Sequence, residues 1–425
     1  MKIAILTDSF PPYLSGISTY CIELVRQLVK KGHSVLVMAP NYGNDNINPF
    51  ADIKTKKVKL VRLKSVRTMV SGFRICLPKT AGVIKEIKSF KADIIETEDP
   101  LFLGIDGLIA SKILGIPCIS TFHTLATSEE YLKVIFRIKN SNFKKIVWTY
   151  HRWFYNSSDI VFATTKETSS LLVKNGIYKS KVSTIPIFFD YYRTKILSED
   201  EKKVLKKYYG LKEKVAVYLG RISQEKNLDT LIKIWKEVAN EHPDSTLVII
   251  GKGSYKKELE NLVKKEKLDK NIRFLGEIEH EQLLSSGLLS IFDIYVSASI
   301  SETFGLAGIE AMAHKLPPVL FRTQGLAEVV GNSGLLCSTN NKKSFKEAVL
   351  KLFKNDKMRI LMGVRARKIA GFYDSNKATD KILKMYEKTI RKYTPSKVSL
   401  NYLSKISKIG INLDKYKKIL KSLYV

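Results

Sequence analysis

Short runs rich in Val, Ile and Leu alternate with longer amphipathic segments along this chain, and that alternation limits the fold more than any other feature. KIAIL (2–6) reads as a buried strand. The loop DSFPPYLSG follows, and Ile17, Tyr20, Cys21, Leu24, Val25 and Leu28 then recur at helical spacing until Gly32 stops the helix. SVLVM (34–38), VKLVRL near 58, DIIE near 93, IPCIST near 116, DIVFA near 159 and KVSTI near 181 continue the strands. Around 187–214 the alternation breaks. Pro186 precedes an aromatic patch and the charged run SEDEKK, which read as a linker. A second series follows: VAVYL (215–219), STLVII (245–250), IRFLG (272–276), DIYVSAS (293–299) and PPVLF (317–321). Helices are expected between them at about 227–241, 255–267, 280–290 and 305–314. Strands alternating with helices predict parallel sheets covered on both faces. The expectation is therefore α/β, with two consecutive domains and a cleft between them. Ligands of such sheets bind beyond the carboxyl ends of the strands, at helix N-termini.

The length of 425 residues suits two domains. A hydrophobic fraction of 44% supplies two buried cores and argues against a disordered chain. The net charge of +31 favours anionic partners, whether nucleic acid, anionic lipid or phosphorylated ligands, without choosing among them. Cys21, Cys76, Cys118 and Cys337 form no C-x-x-C pair, so neither a zinc knuckle nor a disulfide framework is indicated. Buried free thiols in a reducing compartment are expected. The apolar run from Ile3 stops at Asp8, too short for a signal peptide, and no run approaches the ~18 apolar residues of a spanning helix. The expected location is cytoplasmic, with peripheral contact to the cytoplasmic membrane face.

Two segments carry the chemistry. In SASISETFGLAGIEAM (297–312) a strand ends, a short loop holds Glu302, and a helix begins near Phe304–Gly305. A helix N-terminus with free amides suits a diphosphate. Glu302 and Glu310 cannot bind phosphate there, but they can accept hydrogen bonds from sugar hydroxyls. As plain structure, Glu310 is a helix-surface glutamate and Glu302 a capping acid. In YLGRISQEKNLDTLI (218–232) Arg221 and Lys226 sit at a strand-to-helix turn, where they can neutralise a pyrophosphate leaving group. Alternatively they are two solvated cations of a basic protein.

In combination, Gly220-Arg221…Glu225-Lys226-Asn227, Gly251-Lys252-Gly253, Glu302-x7-Glu310 and Gly325…Glu328-Val329-Val330, in this order and spacing, resemble the retaining glycosyltransferases of family 4. PPYLSGISTY…GHSVLVMAP and ADIIETEDPLFLG…GIPCISTFHT resemble the N-terminal half of that family, so the likeness covers roughly residues 1–392. It implies the GT-B fold, two Rossmann-like domains whose parallel sheets face across a cleft. It further implies that Arg221 and Lys226 hold the donor diphosphate and that the backbone at Phe304, Gly305 and Leu306 wraps the phosphates. Glu310 would take the ribose hydroxyls, and Glu302 the 3- and 4-hydroxyls of the transferred sugar. Gly16 would admit the diphosphate from the first domain, and His123 would lie at the cleft near the transferred sugar. His123, Glu302, Arg221 and Lys226 are thus the catalytic candidates. A histidine after a strand can equally be a satisfied structural residue. The chain departs from the family at Ser15-Gly16, where Gly-Gly is common, at Ala298-Ser299, where Pro-Ser is usual, and at Lys315, where Gly is usual. The donor would be a UDP- or GDP-sugar. No D-x-D motif is present, so neither a metal nor any other cofactor is expected to be obligatory. Retention at the anomeric carbon is implied, with same-face attack by the acceptor, and no covalent nucleophile stands out.

Residues 54–91 carry twelve basic side chains, Arg67 and Arg74 among them, against one acid, Glu86. Residues 131–155 add six basic residues, including Lys144 and Lys145, no acid, and interleaved aromatics such as Trp148 and Trp153. Such surfaces suit an anionic membrane. They also suit single-stranded nucleic acid, though no nucleic-acid motif is present. The aromatics could also pack inward under solvated lysines. The leading reading is hexosyl transfer to a membrane lipid or lipid-linked acceptor, most like the diacylglycerol glucosyltransferases and phosphatidylinositol mannosyltransferases of the family. A soluble glycan or surface-polysaccharide acceptor, a nucleic-acid-binding protein and a sugar-nucleotide epimerase remain as alternatives. The expected division is an acceptor-side domain at 1–190, a linker at 191–214 and a donor-binding domain at 215–374. A helix at 375–392 would cross back to the first domain, and a basic amphipathic tail would occupy 393–425.

Overall fold

The computed structural model describes residues 1–13, 15–68, 72–123, 141–300, 304–322 and 324–395. Fifteen strands follow one another among these residues: β1 (Lys2–Leu6), β2 (Ser34–Pro40), β3 (Val58–Leu63), β4 (Ser65–Arg67), β5 (Arg74–Cys76), β6 (Ile94–Thr97), β7 (Cys118–Phe122), β8 (Ile160–Ala163) and β9 (Val182–Thr184), then β10 (Lys214–Leu219), β11 (Ser245–Ile250), β12 (Ile272–Gly276), β13 (Ile294–Ser297), β14 (Pro318–Phe321) and β15 (Leu335–Cys337). Two parallel sheets result, ordered β3-β2-β1-β6-β7-β8-β9 and β12-β11-β10-β13-β14-β15.

Each sheet grows from its first strand in one direction and then from the same strand in the other. Ile3 pairs with Val35 on β2 and with Ile94 on β6. Ala216 pairs with Leu247 on β11 and with Ile294 on β13. Where the winding reverses, the loops leaving adjacent strands diverge and open a crevice at the carboxyl edge. Those loops follow β1 and β6 in the first sheet, and β10 and β13 in the second.

The strands are apolar runs rather than alternating ones because helices cover both sheet faces. Ile3, Ala4, Ile5 and Leu6 are all fully buried. The helix Gly16–Lys30 buries Tyr20, Cys21, Leu24, Val25 and Leu28 along one stripe, and Leu228–Glu241 does the same with Leu231, Ile232, Trp235, Val238 and Ala239. One apolar cluster runs through both halves of the molecule. It contains Ile3, Ile5 and Tyr20 of the first half, Val215, Val217 and Ile309 of the second, and Ile187, Phe188 and Phe189 between them. All four cysteines are buried and free.

Several elements differ from expectation. The basic stretch contains an antiparallel pair, β4 with β5. The charged run expected to be linker forms a helix, Glu199–Tyr208, started by a capping box between Ser198 and Glu201. The single helix expected at 280–290 is a short helix, His280–Ser285, and a separate turn, Leu288–Ile291. β15 went unpredicted because three residues show too little of a period-2 pattern.

The helix Ser375–Lys392 lies against Gly16–Lys30. Gln27 Nε2 donates to Ser375 Oγ at 3.1 Å, Lys31 Nζ meets Asp380 Oδ1 at 2.6 Å, and the Tyr386 hydroxyl donates to the Glu96 carboxylate. Glu328 adds a contact between the halves, its carboxylate accepting from the Lys166 and Glu167 amides at 3.1 and 2.9 Å.

At Gly251 the turns after β10 and β11 touch. φ is +146°, and a Cβ there would lie 1.9 Å from the Gly220 carbonyl oxygen. Backbone cannot retreat as a side-chain tip can, so Gly251→Ala should destabilise by about 2–3 kcal/mol. A Cβ at Gly16 would meet nothing within 4 Å, and Gly16→Ala should stay within roughly 0.5 kcal/mol of wild type. Denaturant titration of both variants checks the contrast.

Candidate active site

The turn after β10 presents Arg221. Its Nη2 lies 3.1 Å from Glu225 Oε1, which also accepts from the Ser223 hydroxyl at 2.7 Å. Glu225 is buried while Arg221 is partly exposed, so the acid holds the guanidinium at the crevice rim. Lys226 closes the short turn Gln224–Lys226, and Asn227 Nδ2 donates to the Ala298 carbonyl at 3.0 Å. That bond ties the loop after β10 to the loop after β13.

The helix Leu306–Ala313 starts at Gly305, whose φ of +81° turns the chain into it. A Cβ there would lie 2.5 Å from the Leu326 side chain. Phe304 is buried, its ring edge-on to Tyr373 at 5.4 Å. The first amides of this helix, beginning at Leu306, have no partner within it, as at any helix start. Glu302 lies outside the described residues. Glu310 is buried in the helix, and its Oε1 is 2.6 Å from His280 Nε2.

On the first-domain side, Ser15 caps the helix Gly16–Lys30. Its hydroxyl accepts from the Ser18 amide at 3.2 Å, and its own amide donates to Ser18 Oγ at 2.7 Å. A capping box therefore accounts for serine at this position. The space beside Gly16 is open.

His123 follows β7 and Glu98 follows β6, so adjacent strand ends bring them together, with Nε2 and Oε2 2.6 Å apart. Both are buried. Burial pushes the Glu98 carboxyl well up, with the Asp99 charge adding to the effect, and pushes the His123 imidazole down to about 4. Burial therefore works against charge on both partners, and one proton lies between Nε2 and Oε2. Around it, Glu96 accepts from the Thr121 hydroxyl at 3.0 Å, and burial raises its carboxyl to about 8. Asp99 gathers the loop after β1, accepting from the Thr7 hydroxyl at 2.9 Å and from the Asp8 and Ser9 amides at 3.0 and 3.2 Å. Asp8 accepts from the Cys76 amide at 2.7 Å. Burial first, and the Asp99 charge second, raise Asp8 to about 7. Tyr13, in the same loop, is close enough to the second domain to feel the charges of Arg221 and Glu225.

The structure thus gathers Arg221, Lys226, Phe304, Gly305, Leu306 and Glu310 at the switch point of the second sheet and Gly16 at that of the first, with His123 one strand farther along, after β7, against Glu98. Glu98, Asp99, Tyr13, Glu225 and His280 were not singled out from sequence. Glu98 and Asp99 had a usable signal, two acids directly after a strand. His280 had none, because its partner is thirty positions away.

The basic face differs from expectation in part. Trp148 is 7% exposed and packs edge-on to His151 at 5.6 Å, so it is no surface anchor. Helical spacing puts Trp148, His151, Phe154 and Tyr155 on the inward stripe of the helix Ser141–Ser157. Trp153 is half-buried beside Tyr150. Arg74 is held by Ser65, its Nε and Nη2 donating to the hydroxyl and carbonyl at 2.8 Å each. Arg67, Lys144 and Lys145 are exposed. Tyr131 and the tail from 396 lie outside the described residues. Among the described residues no helix is long and apolar enough to cross a membrane, and no cluster of His, Cys, Asp and Glu is arranged to hold a metal ion.

Two family models match in sequence order: "Glycosyltransferase Family 4" over residues 14–193 and "Glycosyl transferases group 1" over residues 199–369. The chain belongs to the glycosyltransferases that these models together describe, and it is a glycosyltransferase enzyme. It is 26% identical over 330 residues to an alpha-monoglucosyldiacylglycerol synthase of Acholeplasma laidlawii, an alignment that covers 75% of this chain and 80% of that protein. The synthase of the same name from Streptococcus pneumoniae is 28% identical, with 75% and 70% covered. Among solved structures, the Anabaena protein HepE in complex with UDP superimposes with a TM-score of 0.74 at 18% identity, over 91% of this chain and all of that one. Sucrose-phosphate synthase of Thermosynechococcus elongatus gives 0.75 at 18% identity, over 91% and 98%. These likenesses establish the GT-B fold.

The Asp8 carboxyl makes stability depend on pH in a definite direction. The folded protein keeps this proton up to about pH 7, whereas the unfolded chain releases it in the ordinary carboxylate range, near pH 4. Its contribution is full below that range and is lost as pH rises to about 7. Melting temperatures measured across this window should fall less steeply for Asp8→Asn than for wild type.

Proposed function

We propose that the protein is a retaining transferase that moves a hexosyl unit from a UDP- or GDP-sugar to a membrane lipid or lipid-linked acceptor. The observation that carries the reading is the turn after β10, where buried Glu225 holds the Arg221 guanidinium at 3.1 Å and Asn227 ties the turn to the loop after β13 at 3.0 Å. In this reading residues 215–374 hold the donor and residues 1–190 the acceptor. Arg221, Lys226 and the amides from Phe304 to Leu306 take the diphosphate. They stabilise the charge that grows on the leaving oxygen as the glycosidic bond breaks. Glu310 accepts from the ribose hydroxyls, and Glu302 from the transferred sugar. Gly16 leaves room for the diphosphate. The neutral Glu98–His123 pair borders the sugar without adding a negative charge beside an anionic donor. The acceptor hydroxyl then attacks from the face the diphosphate leaves, which retains configuration.

A lipid acceptor is supported by the relatives that act on diacylglycerol lipids and by the exposed basic surface. Ten of the twelve basic side chains in 54–91 are exposed, and the one acid, Glu86, is paired with Lys59 at 2.7 Å. Such a surface docks reversibly on the cytoplasmic face of an anionic membrane, since each engaged Lys or Arg contributes about 1 kcal/mol. Arg67, Lys144 and Lys145 belong to it by exposure, and Trp148 does not.

Glu310→Ala and Arg221→Ala should each weaken nucleotide-sugar binding by roughly 10- to 100-fold, the equivalent of a charged hydrogen bond of about 1.5–3 kcal/mol. Calorimetric titration of the folded variants checks this, and unchanged affinity in both removes the site assignment. In co-sedimentation, the protein should pellet with anionic and not with neutral vesicles, and less so as salt screens the contact. Lys144→Glu with Lys145→Glu should reduce pelleting. Full transfer to a soluble glycan without vesicle binding would transfer the acceptor assignment to that class.

A further inference from the structure

His280 and Glu310 meet from separate elements of the second domain. Glu310 is 4% exposed, in the middle of the helix Leu306–Ala313, and His280 opens the helix His280–Ser285. Their side chains are 2.6 Å apart, Nε2 to Oε1. No motif in the sequence contains His280. We propose that His280 is a positioning residue of the donor site: its Nε2–H fixes the Glu310 carboxylate and, as an imidazolium, cancels that carboxylate's charge beside the anionic diphosphate. The inference rests on the reading above that Glu310 accepts from the ribose of a nucleotide sugar.

The physical need is plain. A carboxylate suits two vicinal hydroxyls because it accepts at both oxygens and donates at neither. Buried and alone, it is costly to desolvate and repels the phosphates nearby. An imidazolium offsets both problems and removes the carboxylate's rotational freedom. Burial, the largest single effect, lowers the His280 pKa, but the Glu310 charge and hydrogen bond together with the acids around it outweigh burial, and the net shift is upward. The surroundings act in the same direction. Glu23, on the helix Gly16–Lys30 of the first domain, and the neighbouring Glu281 both raise it. Glu281 is itself paired with Arg193 at 2.9 Å and with Arg26 at 3.6 Å, which leaves Glu310 as the main counter-charge. His314 packs at the end of the same helix, its Nδ1 on the Glu310 carbonyl at 2.8 Å and its Nε2 on the Leu284 carbonyl at 3.2 Å. Burial lowers its pKa, so it adds no competing charge.

The sign follows. While His280 is protonated the pair is neutral. As pH rises through its raised pKa the proton leaves, the pair carries −1, and the anionic donor binds less well.

UDP-glucose and GDP-mannose serve as probes, since their diphosphates do not titrate near neutrality. Affinity is measured by calorimetry from pH 6 to 9 on the full chain, for whichever probe binds and for its 2′-deoxyribose analogue. Wild-type affinity should fall about tenfold across the range, a change equal to about 1.4 kcal/mol. His280→Phe should bind about tenfold more weakly at pH 6, show no pH dependence, and lose most of the preference for ribose over deoxyribose. His280→Gln keeps an N–H donor without titrating, so it should be flat in pH yet retain part of that preference. The inference is overturned if folded His280→Phe and His280→Gln keep wild-type affinity, pH profile and ribose preference. Failure of the wild type to bind either nucleotide sugar overturns the proposed function itself, and the inference with it.

Discussion

The apolar cluster shared by the two sheets sets the position of every group in the site. Ile187, Phe188 and Phe189 carry it from one half to the other, and none of the three is solvent-exposed. The chain then returns along Ser375–Lys392, where Phe189 and Asp374 bridge and Tyr386 donates to Glu96. The return helix thus hydrogen-bonds a residue of β6, one residue before the strand end that carries Glu98 and Asp99. The carboxyl edges of two parallel sheets face each other because the connecting segment is part of the core rather than a free tether.

The two edges differ in electrostatic character, and burial is the reason. The first carries Asp8, Glu96, Glu98, Asp99 and His123 within a few residues of the strand ends, yet desolvation keeps Asp8, Glu96 and Glu98 protonated well above the ordinary carboxylate range and His123 neutral. The second holds Arg221 and Lys226 at its rim, with Glu225 orienting the guanidinium. In the proposed reading the anionic diphosphate lies against the Arg221 and Lys226 side of the crevice. The opposite wall can border the sugar without repelling it. Glu310 fits the same pattern, since its charge is matched by His280.

The departures from the family pattern are local substitutions with local explanations where the structure supplies one. Ser15 replaces a glycine but caps the helix it precedes, so the loop keeps its helix start by a side-chain bond. Lys315 adopts φ +64°, the left-handed conformation for which glycine is the usual choice. Its carbonyl lies where a Cβ on Gly363 would collide, at 2.2 Å, so the close packing of that turn falls to the partner helix. Nothing in the structure explains Ala298 in place of proline.

The parallel α/β architecture, the two series of strands and the motifs around Arg221, Lys226 and Glu310 were legible in the sequence, because each depends on residues close together in the chain. Hydrophobic periodicity reports a helix or strand locally, and a glycine beside a cation at a strand end reports a strand-to-helix turn. The inward stripe of Ser141–Ser157 was misread because cationic and aromatic residues interleave there, and only packing decides that Trp148 lies beneath Lys144 and Lys145 rather than beside them. The pairs His123–Glu98 and His280–Glu310 join residues 25 and 30 positions apart, and Glu328 reaches amides 162 and 161 positions away. Sequence determined which strands and helices form and which turns can hold an anion. Tertiary structure decided which buried acids and histidines become partners, and so which charges the site carries, because desolvation and a counter-charge act through space and leave no periodic trace along the chain.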